Sequence, residues 1–483
     1  MFSSGVCAKI LDIDCGTTSA GEERIEIVQN DFSKGSVFGN ILRLAVPLML
    51  AQLVNVLYNV VDRVFIGHIG GSSLPLTGVG LCMPVITVIS AFSGLFGMGG
   101  APLCSIARGQ GELKEAEQIQ NTSFVLLVST GLILMITGEV FLEPILSIFG
   151  ASRDTMPYAA PYLRIYLLGT VFMMISLGMN YFINSQGFAR TGMLTVSIGA
   201  VINLVLDPLF IYVFGMGVQG AALATICAQT VSAVWVLRFL RGRRAILRLS
   251  PRSFCWNWAR IRKITGLGLS NFIALGTNGL VQIVCNTTLQ SFGGDLYVGV
   301  MTVLSSIREV VQMPVSGLTN GSQPVIGYNY GAERYDRVKQ AIRFTAVAGI
   351  LYTTLIWAVL FFFPRFFILL FNDGEDLMAA ALPSLHLYFF GYFMMSLQFA
   401  GQSVFVALGK SKQAVFFSLF RKVVIVVPLT LILPHVAGLG AAGVFLAEPV
   451  SNFVGGTACF VTMYLTVYRK LDRDRKAKCK DHS

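Results

Sequence analysis

Long apolar runs alternate with short polar segments along most of this chain. Each run is long enough for an α-helix to cross the roughly 30 Å hydrocarbon core of a bilayer. Six runs precede a polar, basic segment at 241–262 and six follow it. The pattern predicts an all-α, polytopic membrane protein with twelve transmembrane helices, at about 41–67, 76–107, 116–142, 158–182, 191–214, 217–240, 264–289, 296–327, 341–363, 380–407, 411–433 and 438–467.

The two halves of the chain repeat one pattern. PLCSIARG ends at Gly109 and PVIGYNYG ends at Gly331, so the same spacing from Pro to Gly returns after 222 residues. Each half has an even number of predicted spans, so both halves insert in the same orientation. We therefore expect two six-helix bundles, an N-lobe at 36–240 and a C-lobe at 263–468, related by a pseudo-twofold axis along the membrane normal. A substrate cavity would lie between them.

Composition and charge placement agree with this interpretation. The chain is 54% apolar and only 13% charged, whereas soluble domains carry about 25% charged residues. The net charge is +11, and Lys and Arg concentrate in the 241–262 linker, the 469–483 tail and the loops on the same side. Cytoplasmic loops carry such an excess, so we expect both termini, including the polar tail at 1–35, to lie in the cytoplasm. Nucleic-acid binding is the alternative, and we do not adopt it because both clusters adjoin spans.

Several kinds of chemistry have no support in the sequence. The nine Cys are scattered singly and the four His are dispersed, without the spacing of a metal site or a disulfide framework. No phosphate-binding loop of the Walker type is present, and no set of nucleophile, base and orienting group stands out. We therefore expect a protein that is not an enzyme, needs no cofactor and does not use ATP.

Polar side chains inside the predicted spans are the main candidates for function. Asp62 lies in the outer part of the first span, where an ionised side chain costs roughly 2.5–3.5 kcal/mol on insertion scales. Asp207 lies at a similar depth on the fifth span, and Asn203 shares its helix face. Thr225 reaches that depth on the sixth span, and Tyr58 shares the face of Asp62. We predict that these residues form one site.

Two carboxylates, an amide and a hydroxyl suit the binding of a hard cation. Na⁺ at Asp62, Asn203, Asp207 and Thr225 is one interpretation. Proton carriage is the other, because burial and a like-charged neighbour both favour a protonated carboxyl group. A purely structural alternative pairs Asp62 with Arg63 and lets Asp207 cap a helix that is broken at the following proline.

The second half lacks such an acid pair. It carries Arg308, Arg421, Lys422 and Glu448 within spans instead. Arg421 and Glu448 come out near mid-membrane on adjacent spans, so we predict a structural ion pair between them, with substrate contact as the alternative.

Four segments resemble the multidrug and toxic compound extrusion (MATE) transporters, over about 36–468. They are AVPLMLAQLVNVLYNVVDRVFIGHIG, NSQGFARTGM, NLVLDPLFIYVFGMGVQGAALAT and QPVIGYNYGAERYDRVKQA. The opening segment is most similar to the bacterial DinF/MepA-like group. The resemblance implies two six-helix lobes around a V-shaped cleft, in the plasma (inner) membrane of a bacterium.

The resemblance also implies a secondary active antiporter that exports organic, mostly cationic, drugs or toxic compounds in exchange for H⁺ or Na⁺. The acid of the LYNxxD stretch, Asp62, and the acid of NxxxDP, Asp207, would bind the coupling ion with Asn203 and Thr225, and Tyr58 would lie nearby. Bending of the first helix at Pro47 would take part in conformational switching. No obligate protein partner is expected, and we expect a monomer.

The predicted cleft offers candidate substrate contacts, and a second function is possible for it. Expected substrate contacts are Gln52, Asn55, Met179, Asn180, Gln398 and Gln402. The rival is a flippase of the same superfamily that moves a lipid-linked oligosaccharide or peptidoglycan precursor. Such a flippase would be expected to carry a more cationic cleft, and the few Lys and Arg clearly within spans disfavour it.

Overall fold

The computed structural model describes residues 31–69, 74–250, 254–371, 374–436 and 438–473. The first 30 residues and the last ten, which hold most of the two predicted tails, lie outside these ranges. The described part of the chain is helical and contains no β-strand. This confirms the predicted all-α class.

The membrane helices of the N-lobe follow one another with short connections. They are α1 Val37–Gly67, α2 Leu74–Gly109, α3 Leu113–Val140, the bent α4 of Met156–Leu168 and Thr170–Ser185, α5 Ala189–Val213 and α6 Val218–Arg241. The connection to the C-lobe runs from residue 242 to 257, within the predicted linker at 241–262.

The C-lobe begins with a 74-residue helical segment, Trp258–Gly331, which is interrupted at Gly294. Gly294 has φ 65° and ψ −164°, a conformation that only glycine adopts readily. The segment therefore provides two antiparallel helices, α7 before Gly294 and α8 after it. The remaining helices are α9 Tyr335–Phe362, the bent α10 of Glu375–Tyr388 and Phe393–Ala407, α11 Ser411–His435 and α12 Ala441–Arg473. The twelve predicted spans are confirmed.

The lobes meet through close backbone contacts near the end of the bundle that holds the 242–257 connection, here called the linker end. A Cβ atom added at Gly109 on α2 would lie 2.0 Å from the Tyr328 carbonyl oxygen on α8. One added at Gly331 would lie 2.1 Å from the Ile106 carbonyl oxygen. The two contacts, here called the glycine seam, are related by the 222-residue offset of the repeat. They therefore support the predicted pseudo-twofold relation.

Helix α1 packs on both lobes. Its first half packs closely on α8. A Cβ atom added at Gly321 of α8 would lie only 2.7 Å from the backbone nitrogen of Ala45 on α1. Its second half carries Asp62 and Ile66 into the N-lobe, where Ile66 joins the apolar core. Pro47 is buried between the two halves, and the helix runs through it without a break. Helix α1 thus provides a direct mechanical link between Asp62 and the C-lobe.

Candidate functional site

Helices α1, α5 and α6 bring four of the predicted polar residues together inside the N-lobe. The side-chain nitrogen of Asn203 donates to Asp207 Oδ1 at 3.2 Å and to Thr225 Oγ1 at 3.3 Å. The carboxyl groups of Asp62 and Asp207, here called the acid pair, interact directly. All four residues are buried, with 7% or less of their surface exposed. The predicted residues therefore form a single buried cluster that does not face lipid.

The acid pair is short of hydrogen-bond donors. Asp62 Oδ1, Asp207 Oδ2 and Asn203 Oδ1 are all buried, and the structure gives none of them a partner. Buried polar atoms are normally hydrogen-bonded, because an unpaired one costs free energy comparable to a lost hydrogen bond. Three unpaired acceptor oxygens in one cluster can be satisfied by a proton or by a small cation. Among the described residues, Asp62 and Arg63 do not approach within the 4 Å of a salt bridge, although Arg63 lies near enough for its charge to act on Asp62.

Local sequence explains how Asp207 reaches this position. Pro208 follows it and cannot donate a backbone hydrogen bond, and the chain then forms a π-helical turn at Leu209–Val213. Within that turn the Tyr212 hydroxyl donates to the Phe65 carbonyl oxygen of α1 at 2.7 Å. The irregular end of α5 therefore ties Asp207 to the helix that carries Asp62.

Tyrosines line the acid pair on its other sides. Tyr58 lies beside Thr225, and it lines the same cavity as Asn203. Tyr162 and Tyr166 of α4 lie close enough to Asp62 to sense its charge, and their rings stack at 6.0 Å. Sequence reasoning missed these two. The available signal was a pair of tyrosines four residues apart, on one face of an apolar helix.

The C-lobe holds a different charged cluster at the predicted Arg421–Glu448 pair. Arg421 Nη1 lies 2.9 Å from Glu448 Oε1 and 2.8 Å from Asn452 Oδ1. Arg308 also reaches Glu448, at 3.4 Å, and Lys422 Nζ lies 3.6 Å from its second oxygen. The predicted contact is present, but it belongs to a larger group of three cations around one carboxylate. We call Arg308, Arg421, Lys422 and Glu448 the cation cluster.

Three cavities each border one of these two clusters. One of about 430 Å³ is bounded by the cations of the cation cluster and by eight Asn or Gln side chains, including the predicted contacts Gln52, Gln398 and Gln402. A second, of about 240 Å³, lies in the N-lobe and is lined by Asn55, Asn180, Tyr58 and Asn203. A third, of about 660 Å³, is lined by Gln52, Asn55, Arg308 and Glu309.

Five of the six predicted substrate contacts therefore line a cavity. Met179 does not, because it is fully buried in the apolar core of the N-lobe. The prediction for Met179 is corrected on this ground: its side chain lies on the face of α4 that packs inside the lobe.

Comparisons with known proteins agree with this architecture. The family model MatE matches residues 47–209 and 273–432, one stretch in each lobe. The multidrug export protein MepA of Staphylococcus haemolyticus is 24% identical over 425 residues, which cover 88% of this chain and 93% of that protein.

Two solved structures show the same fold. A MATE crystal structure in the bent conformation matches with a TM-score of 0.86 at 22% identity, covering 96% of this chain and all of that one. A MOP superfamily transporter from Pyrococcus furiosus matches with a TM-score of 0.85 at 22% identity, covering 95% of this chain and 100% of the other. That transporter is described as having a binding pocket of reverse polarity, which suggests a different function. Since the family model covers both lobes, the chain belongs to the MatE family, with MepA-like multidrug export proteins among its relatives.

Proposed function

We propose that this protein is a multidrug efflux antiporter of a bacterial plasma membrane, which exports organic small molecules in exchange for H⁺ or Na⁺ bound at the acid pair. The observation that carries the proposal is the set of three buried, unpartnered oxygens on Asp62, Asn203 and Asp207. The relatives named as multidrug export proteins support the efflux part of the proposal.

The arrangement of the lobes suggests how the cycle runs. The close contacts between the lobes lie toward the linker end, and the charge distribution predicts that this end faces the cytoplasm. The cleft then faces outward. An H⁺ or Na⁺ that enters from outside neutralises the acid pair and removes the repulsion between its carboxylates. Helices α1, α5 and α6 repack, with Pro47 allowing α1 to bend, and the 240 Å³ cavity contracts to expel the compound.

The driving force is sufficient for this exchange. One elementary charge that moves through 100 mV supplies roughly 2.3 kcal/mol, which corresponds to about a 50-fold concentration gradient of substrate. Coupling one ion to one neutral molecule therefore supports useful export.

The test is efflux from everted membrane vesicles with Na⁺ and pH gradients imposed separately. We expect the wild type to respond to one of the two gradients, and Asp62→Asn and Asp207→Asn to reach the membrane but lose the response. Asp295→Asn, at an exposed acid next to the α7–α8 break, is the matched control and should behave as the wild type. Full gradient-driven efflux in both acid-pair variants would refute the assignment.

The flippase remains a second candidate because of one observation. The sequence disfavours a flippase because few Lys and Arg lie within the predicted spans. In the structure, however, Arg308, Arg421 and Lys422 all line one cavity. Proteoliposomes that carry a fluorescent lipid-linked sugar distinguish the two functions. Ion-driven movement of the lipid without any drug efflux would select the flippase.

A further inference from the structure

The largest excess of charge along the cleft is positive and lies on the C-lobe wall. The 430 Å³ cavity is bounded by Arg308, Arg421 and Lys422, and none of the described residues that line it carries a carboxylate. Glu448 lies behind the three cations and is 5% exposed. Three basic side chains share this one carboxylate, so basic groups are in excess at the wall. An organic cation placed there would be repelled.

The cation cluster has unused donors. Arg421 is held by Glu448 and Asn452, but its Nε atom is buried without a partner. Lys422 Nζ is 3.6 Å from Glu448, which is too long for a hydrogen bond, and it makes none among the described residues. Arg308 makes one bond to Glu448, at 3.4 Å, and lies over the Tyr388 ring. A buried cationic group needs an acceptor or a counter-charge, and the cavity is the open side from which one can arrive.

We propose that the cation cluster binds an anionic group of the transported compound, namely a carboxylate, phosphate or sulfonate, so that the substrates are organic anions or zwitterions. This deepens and rests on the proposed transport function, and it replaces the expectation of mostly cationic compounds. Lys422 supplies the principal donor, and Arg308 supplies a second. Arg421, fixed by Glu448 and Asn452, holds the site in shape.

The surrounding groups fit such a ligand. Gln398 and Gln402 of α10 line the same cavity, and the Gln402 amide donates to Ser418 at 2.6 Å, which fixes its orientation. The adjoining 660 Å³ cavity carries one acid, Glu309, beside Arg308. A zwitterion can therefore place its anionic group on the cation cluster and its cationic group toward Glu309.

The test measures binding of two dyes of similar ring structure and opposite charge to the full-length purified protein. We use carboxyfluorescein as the anion and tetramethylrhodamine methyl ester as the cation, and follow fluorescence anisotropy. The wild type should bind the anion more tightly, and inorganic pyrophosphate should displace it. Lys422→Gln should weaken anion binding roughly tenfold to a hundredfold, because hydrogen bonds to charged groups are worth about 1.5–3 kcal/mol. Lys422→Arg should restore most of it.

A matched control comes from the same lobe. Lys339 is paired with Asp472 and lies near Tyr468, away from the cavity. Lys339→Gln should leave the binding of both dyes unchanged. Tighter binding of the cation than the anion by the wild type would overturn the proposal, and so would equal anion affinity in folded Lys422→Gln and wild-type protein. The wild-type comparison decides the matter even where a variant fails to fold.

A second part of the binding experiment distinguishes a lipid source of the anionic group from a soluble one. Nanodiscs that contain a polyprenyl pyrophosphate lipid are compared with nanodiscs without it. Displacement of carboxyfluorescein by the lipid at lower concentration than by free pyrophosphate supports the site and assigns a lipid source. Displacement by free pyrophosphate at lower concentration than by the lipid also supports the site, and it assigns a soluble anion as the source. Anion binding needs no ion gradient, so a failure of gradient-driven efflux would refute the proposed antiport and leave this proposal standing.

Discussion

Both lobes carry buried charges within their membrane-spanning helices, but the two groups have opposite deficiencies. The acid pair places two carboxyl groups together and leaves three oxygens without donors. The cation cluster surrounds one carboxylate with three cations, at 2.9, 3.4 and 3.6 Å. The first group requires positive charge from outside the chain, and the second has positive charge to spare. The role of a buried charge therefore depends on the partners that it lacks more than on its residue type.

Neutralising an acid should therefore have opposite effects on stability in the two lobes. Glu448→Gln leaves the buried Arg421 and Lys422 and the partly exposed Arg308 without their counter-charge. Removing one partner of a buried ion pair costs about 3–5 kcal/mol. We expect a loss of this size in the free energy of unfolding of the detergent-solubilised protein, followed by tryptophan fluorescence.

The control for that measurement is Glu139→Gln. Glu139 also contacts an arginine, Arg164, at 3.8 Å, but the arginine side chain is 62% exposed. Exposed ion pairs contribute about 0–1 kcal/mol, so the loss should be small. Equal losses in the two variants would remove the distinction between the cation cluster and an ordinary ion pair.

In the acid pair the same kind of change should leave stability intact and remove function. Asp207→Asn eliminates the repulsion between two neighbouring carboxylates, so the free energy of unfolding should stay unchanged or rise by about 1 kcal/mol. Gradient-driven efflux should fall by roughly 50-fold for each charge that is no longer coupled at 100 mV. A large loss of stability in this variant would mean that the acid pair is a structural element, as Glu448 is.

Asparagine substitutions sharpen the comparison at a smaller scale. Asn203 donates to Asp207, and Asn452 accepts from Arg421. Replacing either by Leu removes a hydrogen bond to a charged group, which is worth about 1.5–3 kcal/mol. We expect Asn452→Leu to lower the melting temperature, and Asn203→Leu to raise the cation concentration for half-maximal efflux by about tenfold or more. If Asn203→Leu instead lowered the melting temperature and Asn452→Leu raised the half-maximal cation concentration, the roles that we assign to the two lobes would be reversed.

The smallest effect is expected at Tyr58. Its side chain lies beside Thr225, next to the acid pair, and a typical hydrogen bond to such a neighbour contributes about 0.5–1.5 kcal/mol. Tyr58→Phe should raise the half-maximal cation concentration severalfold and leave anion binding at the cation cluster unchanged. Tyr464→Phe, on an exposed face of α12, is the matched control and should alter neither quantity.

Much of this architecture is readable in the sequence, because membrane spans and their repeats are linear features. Apolar length predicts the twelve helices, and the equal spacing to Gly109 and Gly331 predicts the relation between the lobes. Depth along a span also suffices to bring Asp62 and Asp207 together, since α1 and α5 enter from the same side and carry the acids at similar distances from their ends.

What the sequence does not predict depends on helix rotation and bending. Lys422 and Arg421 are neighbours in the chain, and both reach Glu448 because α11 is π-helical over Phe420–Val426, which changes the side-chain spacing. Tyr166 reaches the acid pair from the first segment of α4, which bends by 57° before Thr170. Met179, on the second segment, faces the core. None of these orientations follows from apolar length or charge counts.

The glycine seam has a consequence for how the linker end opens. The two carbonyl oxygens it presses against already accept helical hydrogen bonds, Ile106 from Gln110 at 3.0 Å and Tyr328 from Ala332 at 2.9 Å. A small separation loses the close packing of the two backbones before the gap is wide enough to hold water, so partial separation is unfavourable. The two halves of the seam are also related by the same twofold axis, and one rotation of the lobes parts both. We therefore expect the linker end to be either fully closed or fully open, with only short-lived partly open states. While it is closed, ions should not pass through it.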